Sequence, residues 1–435
     1  MAEQHGKALI PQLRFAGFTD PWEQRKLGDE LEFLRNNTLS RAELSESEGT
    51  AFDIHYGDVL IKYGSVLNLE KAKVPRIMDS AIADRQTCDR LQDGDVIIAD
   101  TAEDSAVGKC TELCNSKGKM VFSGLHTMPL RPMGEYASGY LGHYLNSSAF
   151  HSQLLPLMQG IKVISISRSA MADTTMTVPS VDEQRQIGAF FDRLDSLITL
   201  HQRKYDKLCV LKKSMLDKMF PKGGSLYPEI RFAGFTDPWE QRKLGELYKE
   251  VSEKNDLTYG RDRIISVAHM YFNPVVYVTE DDYLKTYNVM RLGDIAFEGN
   301  RSKNFAHGRL VENTIGDGIV SHVFKVFRPI QPFDLMYWKY SINNEKAMKD
   351  VLTRSTKAST MMHELVAKDF LNEEIAVPSL EEQRQIGAFF DRLDSLITLH
   401  QRKYCGVASW MLGVALVRLG SESDGAFGEM KHVLR

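Results

Sequence analysis

The feature that most constrains the fold of this chain is an exact internal duplication. The segment RFAGFTDPWEQRKLG occupies Arg14–Gly28 and returns unchanged at Arg231–Gly245. A longer segment, EQRQIGAFFDRLDSLITLHQRKY, occupies Glu183–Tyr205 and returns unchanged at Glu382–Tyr404. We call these segments repeat A and repeat B. A period of about 200 residues is too long for a solenoid, so the chain is predicted to consist of two equivalent halves.

The two regions that separate repeat A from repeat B differ in sequence but share a skeleton. LQDGDVIIAD at Leu91–Asp100 corresponds to VMRLGDIAFEGN at Val289–Asn300, with a Gly-Asp pair at equivalent positions. Apolar runs such as Val96–Ala99 and Val323–Phe327 predict strands, and Met336–Met348 has the spacing of a helix. Each region is therefore predicted to fold as a compact α+β domain on a common scaffold.

Repeat B has the signals of a long helix. Ser180 and Glu183 have the spacing of a capping box, and Ser379 and Glu382 repeat it. Apolar residues at heptad spacing then form a wide stripe, which favours packing against another long helix. In the first copy the helix is expected to end at Pro221. About forty residues, at about 1.5 Å each, span roughly 60 Å, which is typical of a spacer or a clamp.

Repeat A is predicted to be a short helix that docks on the core of each half. Asp20 can cap it, Pro21 suits its first position and Gly28 can end it. Trp22 can anchor it. Because its residues offer no convergent chemistry, we expect a structural role.

His201 and His400 occupy equivalent positions on the apolar stripe of the two copies of repeat B. A metal ligand and a pH switch are both open interpretations. The preferred one is a polar residue at a packing position that fixes the register of paired helices. The five cysteines form no paired framework, and Cys110 and Cys114 lack a second Cys or His pair nearby, so no metal site is expected.

The two copies of repeat B continue differently. After Tyr205 the heptads and a lysine-rich end follow, whereas after Tyr404 the chain continues CGVASWMLGVALVRLGSESDGAFGEMKHVLR. Glycine costs about 1 kcal/mol relative to alanine inside a helix. We therefore predict that the second helix is cut short or poorly continued after Tyr404.

This organisation resembles the specificity (S) subunit of type I restriction–modification systems. The resemblance rests on WEQRKLG at Trp22–Gly28 and Trp239–Gly245, on the two Gly-Asp segments, and on VPS followed two residues later by repeat B. It covers roughly residues 11–404. It implies an α+β fold with two similar target recognition domains, joined by long conserved helices that pack as an antiparallel coiled coil with pseudo-twofold symmetry.

The resemblance further implies recognition of DNA without catalysis by this chain. Each domain would recognise one half of a bipartite target in double-stranded DNA, while the helices would space the halves and dock two modification (methyltransferase) subunits. S-adenosylmethionine, ATP and magnesium would belong to partner subunits, including the ATP-dependent restriction subunits, and no cofactor would belong to this chain. The helix residues implied in partner binding are Phe190, Phe191, Leu194, Leu197, Ile198, Phe389, Phe390, Leu393, Leu396 and Ile397.

The domain boundaries that follow divide the chain into five parts. They are 1–179 for the first recognition domain, 180–222 for the central conserved helix, 223–378 for the second recognition domain, 379–404 for the second conserved helix and 405–435 for a divergent tail.

The residues themselves agree with the absence of catalysis. SAVGKCT at Ser105–Thr111 ends like a phosphate-binding loop but lacks its first glycine and has Cys110 in place of Ser or Thr. FNPVVY at Phe272–Tyr277 resembles a methyltransferase motif but lacks its second proline. A net charge of −4 excludes a uniformly basic coat but leaves room for local basic patches. No catalytic residue is predicted.

Recognition of DNA requires donors and acceptors for base edges and cations for phosphates. EGNRSKNFAHGR at Glu298–Arg309 follows a strand and is rich in both, whereas its counterpart at Ala99–Lys109 is acidic. A stretch at Tyr56–Asn68 and two late polar stretches are further candidates. The predicted DNA-binding residues are Lys62, Tyr63, Ser65, Ser105, Lys109, Lys162, Asn300, Arg301, Lys303, Asn304, Arg309, Arg354 and Lys357.

Two other classes of protein remain as alternatives. A structural coiled-coil adaptor would assemble partners without DNA contact, but it has no reason to hold two divergent surfaces on one scaffold. A self-sufficient nuclease or methyltransferase is disfavoured by the missing motifs. No apolar run reaches the roughly 18 residues of a membrane span and no signal peptide is evident, so a cytoplasmic protein without membrane partners is expected.

Overall fold

The computed structural model describes residues 10, 11, 13–275, 280–300, 302, 305–358 and 363–416, with side chains described up to residue 403. These residues divide into two compact units. The first unit runs to Leu200 and includes residues 403–416, and the second runs from His201 to Arg402. No helix within these ranges combines the length and the apolar character needed to span a membrane.

In the first unit, short strands and short helices precede one long helix. Its strands are β1 (Glu23–Lys26), β2 (Leu31–Phe33), β3 (Leu44–Ser45), β4 (Ala51–Ile54), β5 (Val66–Asn68), β6 (Arg76–Ile77), β7 (Val96–Ala99), β8 (Thr101–Ala102), β9 (Cys110–Cys114), β10 (Met120–Ser123), β11 (Thr127–Pro132), β12 (Ile164–Ser165) and β13 (Thr175–Val178). Its helices are α1 (Leu27–Glu30), α2 (Tyr56–Ile61), α3 (Ser80–Asp84), α4 (Tyr140–Leu145), α5 (Ser148–His151), α6 (Arg168–Ala172) and the start of α7 (Val181–Lys218).

The second unit follows the same plan. Its strands are β14 (Glu240–Lys243), β15 (Tyr248–Val251), β16 (Ile265–Ser266), β17 (Tyr271–Phe272), β18 (Asn288–Met290), β19 (Ile295–Glu298), β20 (Arg309–Glu312), β21 (Gly318–Val320), β22 (Val326–Pro329), β23 (Thr356–Ala358), β24 (His363–Leu365) and β25 (Glu374–Val377). Its helices, after the end of α7, are α8 (Leu244–Leu247), α9 (Leu335–Ile342), α10 (Glu345–Ser355), α11 (Ala367–Asn372) and α12 (Leu380–Leu416).

The central sheets of the two units share four strands in the same order, as the shared sequence skeleton predicts, and the first unit adds a fifth strand, β5. The strand order is β2-β11-β7-β9-β5 in the first unit and β15-β22-β19-β20 in the second. The strands β7 and β19, which follow the Gly-Asp pairs, are buried along their whole length and pair antiparallel with both neighbours. The first unit adds a smaller sheet of order β10-β4-β6-β3.

Two boundaries predicted in the second half are wrong. The strand expected at Val323–Phe327 begins only at Val326. The helix expected over Met336–Met348 is two helices, α9 and α10, separated at Asn343 and Asn344. Because the Asn344 side chain accepts the backbone N–H groups of the next turn, it starts a new helix instead of continuing the first.

Repeat A joins the strand before repeat B with the same register in both halves. Strand β1 pairs antiparallel with β13, with Glu23 opposite Val178, and β14 pairs with β25, with Glu240 opposite Val377. The short helix predicted from Asp20 is therefore wrong, because EQRK is a strand and only the four residues after it are helical. The strand pair satisfies backbone groups that a costly isolated helical turn would leave to water.

A buried ion pair closes this joint between repeat A and repeat B. Arg14 donates from Nε and Nη2 to the two carboxylate oxygens of Glu183, both at 2.7 Å. Arg231 makes the same two hydrogen bonds to Glu382, at 2.7 and 2.8 Å. Each Glu side chain is only 1% exposed. Such forked, charge-assisted pairs fix geometry as well as energy, so they orient the start of each long helix.

Aromatic contacts repeat beside the ion pairs. The ring of Phe15 meets Phe190 edge-on at 5.8 Å, and Phe232 meets Phe389 in the same way at 5.9 Å. The ion pair, the ring contact and one strand of each joint therefore come from the exact repeats, whereas the second strand, β13 or β25, lies just before repeat B. We call this strand pair, ion pair and ring contact the repeat joint.

We predict that Arg231→Met lowers the free energy of unfolding of the second unit by about 3–5 kcal/mol, because it leaves the Glu382 carboxylate buried and unpaired. Urea unfolding of the full chain, followed by tryptophan fluorescence, measures this change.

The matched control is Arg384→Met in the same repeat. Arg384 is 60% exposed and, among the residues that the structure describes, forms its one ion pair with its helix neighbour Glu381, so its loss should cost less than about 1 kcal/mol. Equal effects of the two substitutions would contradict the structural role of the buried pair.

Helix α7 confirms the long helix predicted over repeat B, and it ends before Pro221. The hydroxyl of Ser180 accepts the backbone N–H of Glu183 at 3.4 Å, as a capping residue should. The reciprocal half of the capping box is missing, because the Glu183 carboxylate binds Arg14 instead.

Within the second unit, the end of α7 and the helix α12 run antiparallel, as predicted. Two contacts between the helices, and a third made by Phe220 just after α7 ends, pair rising residue numbers with falling ones: His201 with His400, Lys212 with Asp394, and Phe220 with Phe390. The Phe220 and Phe390 rings are stacked, and the Lys212 ammonium lies 2.5 Å from the Asp394 carboxylate. Both apolar and ionic contacts therefore hold this helix pair together.

His201 and His400, the equivalent residues of the two repeats, contact each other directly. Their Nδ1 atoms are 2.9 Å apart and their ring centroids 5.2 Å. In the part of the chain that the structure describes, no cluster of three or more His, Cys, Asp or Glu residues could hold a metal ion. The contact lies at a packing position of the helix pair.

The prediction that the second helix is cut short after Tyr404 is wrong. The backbone of α12 remains helical to Leu416, through Gly406 and Gly413. Extending an existing helix avoids the cost of a new nucleus, and the leucine, alanine and methionine around these glycines favour the helix.

Candidate nucleic-acid interface

The main loops predicted to contact DNA lie at the same edge of the central sheet in both units. In the first unit the loop leaves β7 and returns into β9, and in the second it leaves β19 and returns into β20. Gly108 and Gly308 end these loops with φ of +90° and +80°. These left-handed conformations favour glycine and turn the chain back into the sheet.

The Gly-Asp pairs at the opposite end of these strands are structural. Asp95 lies under Arg131, with Oδ2 2.6 Å from Nη2, and Asp294 lies under Arg328 at 2.9 Å. Both aspartates are almost completely buried. The shared motif therefore ties the central strand to its neighbour and leaves the far edge free to vary.

In the first unit, several predicted residues are held by their own domain. Lys109 is half-buried and donates from Nζ to the Leu60 carbonyl at 2.7 Å, and burial lowers its pKa. Lys62 is exposed, but its ammonium lies 2.9 Å from Asp58. Ser65 is half-buried, with Oγ 3.4 Å from Asn146 Nδ2. These groups are less available to DNA than the sequence suggests.

Tyr63 is a correction. Its side chain is only 6% exposed and belongs to an apolar cluster of the first unit. Burial also raises the pKa of its phenol. The prediction that Tyr63 contacts DNA is wrong, because its ring is packed in the apolar core of the first unit.

Ser105 and Lys162 remain available in the first unit. Both are exposed. Strand β12 pairs with β8, so the turn that holds Lys162 lies beside the strand that leads into the Ser105 loop. The structure therefore brings these two predicted sites together.

In the second unit, Asn300 and Lys357 are exposed and are brought together by β24. The N–H of His363 in β24 donates to the Gly299 carbonyl at 2.9 Å, and Lys357 lies opposite Glu364 in the β23–β24 hairpin. Three neighbouring predictions, Arg301, Lys303 and Asn304, lie outside the described residues.

Two predicted phosphate contacts of the second unit already have carboxylate partners. The half-buried Arg309 donates from Nε to Glu298 at 2.7 Å. The exposed Arg354 donates from Nε to Glu373 at 2.9 Å. A phosphate would have to compete with these carboxylates, so Lys357 is the better candidate.

The predicted partner-binding residues of the long helices divide into buried and accessible sets. Leu194, Phe390 and Leu393 are 6%, 0% and 5% exposed, so the prediction that these three contact a partner is wrong. The half-buried residues are Phe190, Phe191, Leu197, Ile198, Phe389 and Ile397. The exposed large apolar residues of the same helices are Leu200, Val210, Leu211, Leu396 and Leu399.

Sequence reasoning missed a buried carboxylate at equivalent positions of the two units. Glu112 and Glu312 each lie four residues after the loop glycine. Glu112 accepts the backbone N–H groups of Gly139 and Gly142 at 2.6 and 2.9 Å, and burial raises its pKa despite these bonds. Its spacing from the glycine was the available signal.

Glu312 lacks the hydrogen bonds that Glu112 makes. Burial, with a smaller effect of the Asp334 carboxylate, raises the pKa of Glu312 to about 10. The charge of Lys339 and, to a smaller extent, its backbone N–H lower the pKa of Glu312, but neither carboxyl oxygen completes a hydrogen bond among the described residues. Glu312 is therefore protonated at neutral pH.

We predict that Glu312→Gln stabilises the second unit at pH 7 by on the order of 1–3 kcal/mol, because the amide needs no proton. The native stability should fall as pH rises from about 4.5, the pKa in the unfolded chain, toward 10, because the folded state keeps a proton that the unfolded state loses. Unfolding between pH 5 and 9 measures both effects.

The matched variant is Glu112→Gln, for which we expect the opposite sign. An amide offers one acceptor oxygen to two backbone donors, so the first unit should lose stability. A stabilising effect in both units would contradict the difference between the two sites.

These observations define a class of protein: a subunit that presents two different recognition surfaces from one repeated scaffold. The family model described as type I restriction modification DNA specificity domain matches residues 19–209 and 236–407. The chain belongs to this family, whose role is recognition of a DNA target.

Two relatives are named as specificity subunits of type I restriction enzymes. The putative type I restriction enzyme MjaX specificity subunit of Methanocaldococcus jannaschii is 22% identical over 410 residues, covering 88% of this chain and 89% of that protein. The MjaVIII specificity subunit of the same organism is 21% identical over 263 residues, covering 56% of this chain and 61% of that protein. The crystal structure of the S subunit from M. genitalium has a TM-score of 0.55 at 13% identity, with 95% and 100% coverage, which shows the shared fold.

Proposed function

We propose that each unit recognises one half of a bipartite DNA target through the loop edge of its central sheet. The observation that carries this proposal is that the two units share the scaffold of the central sheet but differ at its loop edge. The four strands that the two central sheets share have the same order, and both units contain the same buried Asp–Arg pair. The edge differs in charge and in exposed groups, with Ser105 and Lys162 in one unit and Asn300 and Lys357 in the other.

We further propose that this chain supplies recognition and no catalysis. Two modification subunits would dock on the long helices and methylate DNA with S-adenosylmethionine, and restriction subunits would use ATP and magnesium. The exposed leucines and valine of α7 and α12 support docking, because they are apolar residues on helices otherwise rich in charge. The assembly would work in the cytoplasm, where it meets DNA.

The repeats make a direct test possible. Residues 246–376 are replaced by a second copy of residues 29–177, so that both junctions keep their native repeat sequence. The variant and the native chain are each expressed with the modification subunit, and methylation-sensitive sequencing identifies the modified motif.

The native chain should give a motif with two different halves, and the variant should give two copies of the half that belongs to the first unit. The repeat joint should form in both, because its ion pair and rings are retained. Persistence of the native second half-site in the variant would contradict the assignment of one half-site to each unit.

A further inference from the structure

An open cleft in the first unit gathers cations that the predicted interface does not include. It lies on the smaller sheet, and its lining includes Phe52, Lys73, Arg76 and Lys119. None of these residues belongs to the loops at the edge of the central sheet. Their distance from one another in the sequence explains why sequence patterns did not find them.

The topology of the smaller sheet brings these residues together. Strand β4 lies between β10 and β6. Phe52 on β4 is directly opposite Arg76 on β6, and Lys119 immediately precedes β10. The Arg76 guanidinium carbon lies 4.9 Å from the centroid of the Phe52 ring, and Lys119 Nζ lies 6.0 Å from it. One aromatic ring therefore holds two cations by cation–π attraction.

The charges of the cleft are unbalanced. Lys73, Arg76 and Lys119 make no ion pair with any residue that the structure describes. Two carboxylates, Glu46 and Glu70, also line the cleft.

Glu46 is already shared between two cations outside the three. It lies 3.8 Å from Arg41 and 3.6 Å from Lys62. Glu70 alone therefore faces three cations without a partner of its own, and the cleft carries a net positive charge. Lys62, Arg309 and Arg354, in contrast, are neutralised by neighbouring carboxylates.

We propose that Lys73, Arg76 and Lys119, arranged around the Phe52 ring, form a site that binds phosphate groups of the DNA backbone. An arginine fork and two lysine ammonium groups match phosphate oxygens, and a phosphate would relieve the repulsion among three neighbouring cations. Because backbone phosphates carry no sequence information, the site would strengthen binding and position the unit without choosing bases. This inference rests on the proposed recognition of DNA by the first unit.

The salt dependence of DNA binding tests the site. The full chain is titrated with duplex DNA of random sequence, and fluorescence anisotropy gives the association constant at several potassium chloride concentrations. Arg76→Gln and Lys119→Gln should each reduce the slope of log K against log salt by about 0.9, and the double variant by about twice that.

Matched controls separate local charge from total charge. Arg85→Gln and Lys117→Gln each remove one exposed cation of the same type nearby that does not line the cleft, so the slope should not change. Arg76→Lys keeps the charge and should keep the slope. Thermal unfolding of each variant checks that the fold is intact.

The outcomes distinguish this inference from the proposed function. If the native chain binds no duplex DNA, both fail. If it binds DNA but the cleft variants keep the native slope, the cleft inference alone fails. A parallel titration with inorganic phosphate identifies the source: loss of phosphate binding in the cleft variants, with DNA binding unchanged, would assign the site to a free anion and overturn its role on DNA.

Discussion

The forked ion pair between repeat A and repeat B is the interaction on which the rest of the structure depends. Its glutamate lies at the start of each long helix and is almost completely buried, so loss of the arginine would leave an unpaired, buried carboxylate at the start of that helix. The pair also joins the segment before each variable region, in repeat A, to the segment after it, in repeat B. The two ends of each variable region are thus held together by the same charge-assisted ion pair.

This arrangement separates stability from recognition. The strand pair, ion pair and ring contact hold each half together, mainly with residues of the exact repeats and one strand just before repeat B, while the Asp–Arg pairs hold the central sheet. The loops at the edge of the central sheet do not make these stabilising contacts, so they can differ in charge between the units. The cationic cleft occupies a third position, where the first unit can gain affinity for DNA without constraining which bases its loops prefer.

Local signals in the sequence predicted the long helix well. Its cap, its heptad spacing and the proline after it all act within a few residues, and α7 agrees with them. Repeat A failed the same reasoning, because the partner strand of EQRK lies about 150 residues further along the chain. Glu183 shows the same limit, since its spacing predicts a cap but its carboxylate binds an arginine far away in sequence.

The site was predictable only in outline for the same physical reason. The equivalence of the two loops follows from matching Gly-Asp pairs, but the fate of each cation depends on neighbours that folding supplies. Lys62 and Arg309 contact carboxylates, Tyr63 lies in the core, and Arg76 contacts a phenylalanine on the neighbouring strand. The glycines near the end of α12 predicted that the helix would stop, but it continues, because a helix that is already formed tolerates residues that would not start one.

The contact between His201 and His400 has a consequence for the equivalence of the halves. These residues are identical in type and in repeat position, yet a hydrogen bond between two Nδ1 atoms requires one ring to donate and the other to accept. The two imidazoles must therefore hold their protons differently at any instant. In this contact one imidazole carries the proton on Nδ1 and the other does not, although the two copies of repeat B are identical in sequence.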